Sequence, residues 1–312
     1  MEMRHLQALV GIADTGSFSA AAEAIGTVQS NVSAHIARLE RELEVTLVDR
    51  SSGRLTQEGE VVVARARRVM AEADAMISDI GAMRHDVSGT VRVGVIGTTG
   101  RWLVPRLLEQ LKERYPRIDV TWAEGTSNTL EPRLVSGQLD LAVVTMPVPG
   151  DELSASPLFE EDLVLVVPAG HLLAEDPVPR APLPLEALAG LELLLPLPGS
   201  ALRDEIDAAV APAGLVLRPS IELDSVRMIA SLTFDGHGPA ILPAAAVPGH
   251  LRDRFAMLAL EGIPRRRVGV ALRSRGMPSA PTRALIDLLY EVVGTTESLP
   301  EGVHPAATSR AH

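Results

Sequence analysis

Two groups of residues have the types and spacing to do chemistry. In the first, Gln29, Ser30, Ser33, Ala34 and Ala37 recur at helical spacing and share one short, polar face. A glutamine amide can pair with an adenine edge and a serine hydroxyl can reach a base or a phosphate, so this mix suits a helix pressed into a major groove. In the second, Gly97-Thr98-Thr99-Gly100 follows a β-type run and Gly199-Ser200 precedes a helical stretch. Hydroxyls at helix starts, beside unpaired backbone N–H groups and a positive dipole end, can hold an anion. Arg101, Thr126, Ser127 and Arg203 are further candidates for that ligand, although each Thr or Ser could equally be a plain N-cap.

Constellations for covalent or metal chemistry are missing. The histidines at 5, 35, 85, 171, 237, 250, 304 and 312 never form an i, i+4 pair or stand at zincin spacing beside a Glu. Ser200 is not in a Gly-x-Ser-x-Gly elbow, and residues 94–100 lack both a Gly-Lys-Ser/Thr end and the dinucleotide fingerprint. Cysteine is absent, which excludes disulfides, thiolate metal sites and thiol nucleophiles together. No enzyme, cofactor or metal is expected.

The first group needs a scaffold, and the flanking residues supply one. Residues 19–43 read as a short helix, a Gly-containing turn and a second helix, in which Val32, Ile36, Leu39 and Leu43 form a buried stripe. Phosphate contacts fall to His35, Arg38, Arg50, Arg54 and helix N-termini, because residues 1–56 carry five arginines against seven acids and show no basic patch. From Thr56, a good N-cap, a proline-free helix runs to about residue 84 with Val62, Ala66, Val69, Ala73, Met76, Ile80 and Met83 at alternating spacings of four and three. That stripe calls for a partner helix; packing on its own domain is the plainer reading, and pairing between subunits of a homodimer or homotetramer is the one favoured. Arg65, Arg67 and Arg68 lie among acids and read as a solvated face.

The second group belongs to an alternating α/β region. Strands are expected at 90–96, 118–122, 139–145, 163–167 and 267–272, with helices at 102–115, 130–136 and 282–293. Trp102 and Trp122 read as core or cleft-edge residues, residues 177–184 as loop, and residues 295–312 as a disordered tail.

Ala21-Ala22-Glu23-Ala24-Ile25, then Gln29, Val32, Ser33, Ile36, Leu39, Glu40, Leu43, Leu47-Val48-Asp49-Arg50, Leu55-Thr56 and Gly59 resemble the N-terminal signature of the LysR-type transcriptional regulators. In that family the Gln-x-x-x-Ser pair touches DNA, which falls here on Gln29 and Ser33. Val28 stands where the family usually has a serine, Ala34 where it often has an arginine, and the stretch after Arg50 is shorter. Residues 115–116, 137–144, 163–171, 191–203, 213–214 and 236–243 are similar to the family's two-lobed effector domain. The resemblance implies a multidomain α+β chain: a winged helix-turn-helix at 1–58, a linker and dimerisation helix at 59–88, and a periplasmic-binding-protein-like α/β domain at 89–294. Its lobe I would comprise about 89–162 and 267–294, and its lobe II about 163–266. It also implies an effector cleft in which the helix starts at Thr98-Thr99 and Gly199-Ser200 face one another.

At 312 residues and 46% hydrophobic content the chain can bury several cores, and a net charge of −11 disfavours indiscriminate binding to nucleic acid. No secretory leader or membrane-length apolar run is visible, so a soluble cytoplasmic protein is expected. The expected function is sequence-specific binding of a double-stranded DNA operator, modulated by a small anionic effector. A solute-binding protein with the same two lobes is the alternative, which would lack residues 19–43, and an α/β enzyme is the third reading.

Overall fold

The computed structural model describes residues 1–84, 87–174, 181–248, 254–295 and 299–306. His85, His250, His312 and the first half of the loop expected at 177–184 lie outside them.

The N-terminal head packs α1 (Met3–Thr15), α2 (Phe18–Ala24) and α3 (Gln29–Leu43) around one core. Ser17 caps α2 by accepting from the Ala20 N–H, and Gly26 at φ +70° turns the chain toward α3, a conformation that favours glycine. Val32, Ile36 and Leu39 are fully buried in the same cluster as Leu6, Leu9, Ile12 and Ala21. Leu43, expected to complete that stripe, is exposed: it is the last residue of α3, where Glu44 turns left-handed at φ 57°, and it joins no core cluster. The wing is one antiparallel bridge, Val48 to Leu55, around a turn in which Asp49 accepts from Ser51 and Ser52. Those hydrogen bonds hold the Asp49 carboxyl down to about 2.

Thr56 caps α4 (Gln57–Ala82) through Gly59 N–H at 3.0 Å. At Gly59 a Cβ would sit 2.1 Å from the Leu47 carbonyl oxygen, so only glycine lets the helix start against the wing. The expected stripe splits along α4. Ala66 is buried and Val62, Val63 and Met70 pack into the head core, whereas Val69, Met76, Ile80 and Met83 are exposed and Met83 lies past the helix end.

Two sheets follow. Lobe I is built from β1 (Gly89–Ile96), α5 (Gly97–Arg114), β2 (Ile118–Gly125), α6 (Ser127–Val135), β3 (Leu141–Thr145) and β4 (Leu153–Glu161). Lobe II holds β5 (Leu163–Pro168), β6 (Glu192–Pro196), α7 (Ala201–Val210), β7 (Arg218–Leu223), α8 (Val226–Phe234), β8 (Ala240–Pro243) and β9 (Phe255–Ala259). The chain then re-enters lobe I as β10 (Arg266–Arg273), α9 (Ala280–Gly294) and β11 (Val303–Pro305). Strand orders are β11-β4-β10-β3-β1-β2 and β7-β6-β8-β5-β9. β1 runs parallel to β2 and β3, and β10 antiparallel to β3 and β4. Trp102 packs edge-on against Phe159 at 5.4 Å, and both tryptophans lean on the lobe I core.

The tail expected to be disordered is a strand over part of its length. Val303 pairs with Glu161 and Pro305 with Phe159, with Val303 buried, because the open edge of β4 offers backbone groups that a short apolar segment can satisfy. Residues 296–298 and 307–312 lie outside the described part.

Both chain crossings between the lobes meet at one ion cluster. Arg266 Nη1 donates to Glu161 at 3.1 Å, its Nε lies 3.2 Å from Glu205 of α7, and its Nη2 reaches the Thr145 hydroxyl. Burial pushes the Glu161 and Glu205 carboxyls up from the ordinary glutamate range while Arg266 pulls them back.

Candidate nucleic-acid interface and interlobe cleft

The exposed surface of the head gathers the first group. Gln29 is the first residue of α3 and exposed, and its Oε1 accepts from Ser19 at 3.0 Å, a bond that does not engage its NH2. Ser30, Ala34 and Arg38 are exposed on the same helix, while Ser33 and His35 are half-buried. Arg50 reaches from the wing turn to Ser33 at 3.5 Å and to Glu40 at 3.4 Å, so it lies beside the polar face of α3. Arg54 is exposed at the far side of that turn. Arg38 is shared weakly between Glu2 and Glu42, at 3.8 and 3.6 Å. His35 stacks near the buried His5, ring centroids 5.4 Å apart, and burial lowers the His5 pKa. With Val28 at its N-cap, α3 has no side-chain cap, and its first N–H groups stay available for a phosphate.

The second group divides. The Gly97–Gly100 segment is the first turn of α5 rather than a turn ahead of it, so Thr98 and Thr99 sit at its second and third positions. Both are buried, and the Thr99 hydroxyl has no partner among the described residues. Thr98 and Arg101 line a pocket of about 250 Å³ between the lobes, whose other wall is Arg227, Ala230, Ser231 and Phe234 of α8 with Ala246 and Pro248. Arg227 pairs with Glu124 across the lobes, and Arg101 donates to the Ala246 carbonyl at 3.2 Å.

Thr126 and Ser127 open α6: Thr126 is its exposed N-cap, and Ser127 Oγ accepts from Thr145 N–H at 3.1 Å. Gly199 meets α6 across the cleft, where Asn128 Nδ2 donates to its carbonyl at 3.2 Å. Ser200 caps α7 and donates to Leu197. Neither lines the pocket. Arg203 is turned away from ligand duty, since Asp207, Glu222 and the Pro196 carbonyl take its guanidinium.

Sequence reasoning missed Arg227, Ser231, Phe234, Glu124 and Asn128. One signal was present: residues 227, 230, 231 and 234 share a helix face with a mixed polar and apolar character.

The solvated reading of the arginine cluster on α4 fails for two of its three members. Arg67, largely buried, pairs with Asp14 of α1, and Arg68 Nη2 donates to the Val135 carbonyl of lobe I at 2.8 Å. Only Arg65 is exposed.

Residues 3–60 match the model of the bacterial regulatory helix-turn-helix proteins of the lysR family, and residues 84–294 match the LysR substrate binding domain. The chain is a LysR-type transcriptional regulator. As such a regulator it joins a DNA-binding helix-turn-helix to a two-lobed effector-binding domain, and its relatives are regulators rather than enzymes. It is 31% identical over 301 residues to a probable hydrogen peroxide-inducible genes activator of Streptomyces viridosporus, covering 93% of this chain and 94% of that one. It is 30% identical to the DNA-binding transcriptional dual regulator OxyR of Escherichia coli K12, covering 94% and 95%. A full-length OxyR of Pseudomonas aeruginosa with a cysteine-to-aspartate substitution superposes with a TM-score of 0.76 at 27% identity, over 95% of each chain. Among the described residues no helix of this LysR-type regulator is long and apolar enough to cross a membrane.

Proposed function

We propose that this regulator reads its operator in the cytoplasm with Gln29, Ser30, Ser33 and Ala34, steadied on phosphates by His35, Arg38, Arg50 and Arg54. It works as a homodimer or homotetramer joined along the exposed part of α4. Residues 1–58, 59–88 and 89–294 divide the labour of DNA binding, pairing and effector sensing. A small anion, held at the start of α5 by Thr98, Thr99, Gly100 and Arg101, shifts that binding.

The observation that carries the effector reading is the pocket with walls from both lobes and two guanidiniums, Arg101 and Arg227, against one carboxylate, Glu124. A ligand touching both walls favours one lobe arrangement by its differential contacts. The Streptomyces viridosporus relative is named for induction by hydrogen peroxide, but a chain without cysteine has no thiol to oxidise. A reversibly bound anion is therefore the signal favoured here.

Calorimetric titration of a panel of small carboxylates against their amides tests this. A carboxylate should bind at least tenfold more weakly to Arg101→Ala and to Arg227→Ala, the size of one charge-assisted hydrogen bond at about 1.5 kcal/mol. Equal binding of the amides would refute the anion. On the DNA side, Gln29→Ala or Ser33→Ala should weaken binding to a selected duplex by about 1–3 kcal/mol and leave random DNA untouched. Equal loss on both would remove the base-reading role.

A further inference from the structure

We infer that Arg68 is the positioning residue that ties the effector cleft to the DNA-binding head, acting through helix α6; this rests on the cleft being the effector site. Of the described hydrogen bonds, those at the two ends of α6 connect opposite parts of the molecule. At its start, Asn128 holds the Gly199 carbonyl of lobe II. At its end, Arg68 of α4 holds the Val135 carbonyl, and Arg273 of β10 holds those of Leu134 and Leu139 at 3.3 and 2.9 Å. The last carbonyls of a helix lack intrahelical partners and carry partial negative charge, so a guanidinium there is strongly placed.

The joint is close-packed. A Cβ at Gly137 would lie 3.4 Å from Arg67 Cβ and 3.6 Å from Arg68 Cγ, so α4 runs directly over the end of α6. The neighbouring Arg67 pairs with Asp14 near the end of α1, which places head, linker and lobe I within two consecutive residues of one helix. Between its ends α6 is fixed by Leu130 and Leu134, both fully buried in the lobe I core. Pro132 removes one internal hydrogen bond, yet the helix spans nine residues, about 13 Å at 1.5 Å per residue. Movement of lobe II thus loads Asn128, and the linker side chain that hydrogen-bonds the far end is Arg68. A second joint exists where Asp79 caps α9 through Ala280 N–H at 2.9 Å and Arg283 at 3.1 Å. It lies three turns further along α4, away from the head.

Coupling between sites is reciprocal, so DNA can serve as the ligand and the cleft as the readout. The experiment is hydrogen exchange on the full chain, with and without a duplex selected from random sequence by the unaltered protein. DNA should slow deuterium uptake across residues 126–136 by about fivefold, the low end of ordinary coupling factors. Arg68→Met should abolish that change without altering the affinity for the duplex, and the thermal midpoint should fall no further than the loss of one hydrogen bond requires. Arg68→Lys, which keeps a donor, should restore part of it, and Arg65→Met, an equal charge loss on the exposed face, should leave it whole. Should Arg68→Met fail to fold, Asn128→Ala tests the same path from the exposed end and should abolish DNA-induced protection at residues 197–203. The inference is overturned if the change survives Arg68→Met, if Asp79→Asn removes it instead, or if the DNA-bound protein shows none. Failure to select any duplex would instead strike the reading of the head.

Discussion

Helix α4 carries one apolar pattern, but its two halves have different surroundings. Toward its start Ala66 is 2% exposed and Val63 is buried among head residues, while from Val69 onward Val69, Met76, Ile77 and Ile80, with Met83 just past the helix end, are 45, 65, 70, 52 and 80% exposed. The first half is therefore part of a domain core. The second presents exposed apolar side chains, the face through which the proposed pairing of subunits would run. A heptad stripe reports that a helix needs company; it does not report whose, and here cover from the head ends at about one turn past Ala66.

Substitutions in the two halves should separate sharply. Ala66→Asp buries an unpaired carboxylate and should unfold the head, a loss of at least about 3 kcal/mol visible as lost helix signal and lost DNA binding. Gly59→Ala, where α4 meets the Leu47 carbonyl, should destabilise the head by about 1–3 kcal/mol in chemical denaturation. Met76→Asp should leave the head's denaturation curve unchanged while sedimentation shows monomers, and a well-folded dimer in this variant would place the subunit interface elsewhere. Arg67→Met, whose partner Asp14 is half-exposed, should cost the head about 1 kcal/mol or less and leave the assembly intact. If Met76→Asp were to unfold the head as Ala66→Asp does, the contrast between the halves would collapse.

Legibility in the sequence followed contact distance along the chain. The polar face of α3 was readable because Gln29 and Ser33 are one turn apart and their buried counterparts recur on the same helix. Leu43 misled because periodicity says nothing of where a helix outruns its neighbours. The interlobe pocket joins residues 98–101 to 227–248, segments that no local spacing relates, so Arg227 escaped notice and Arg203 was given a role its own neighbours Asp207 and Glu222 preclude. Arg67 and Arg68 were misread for the same reason, their partners being 53 and 67 residues away. The 303–305 strand was hidden by composition: three residues suffice when an open sheet edge is waiting.

The ion cluster at the crossings also restricts how the lobes can move. Glu161 and Arg266 stand directly opposite in the β4 and β10 ladder, so the two connecting chains are riveted side by side at the point where each leaves lobe I. Sliding one strand past the other would strand a buried guanidinium between carboxylates it no longer reaches, a penalty of several kcal/mol. Bending both together keeps the Glu161–Arg266 pair. Rocking of lobe II about Arg266 is thus the motion that spares the pair between the two crossings, and sliding of β4 past β10 is the one that breaks it.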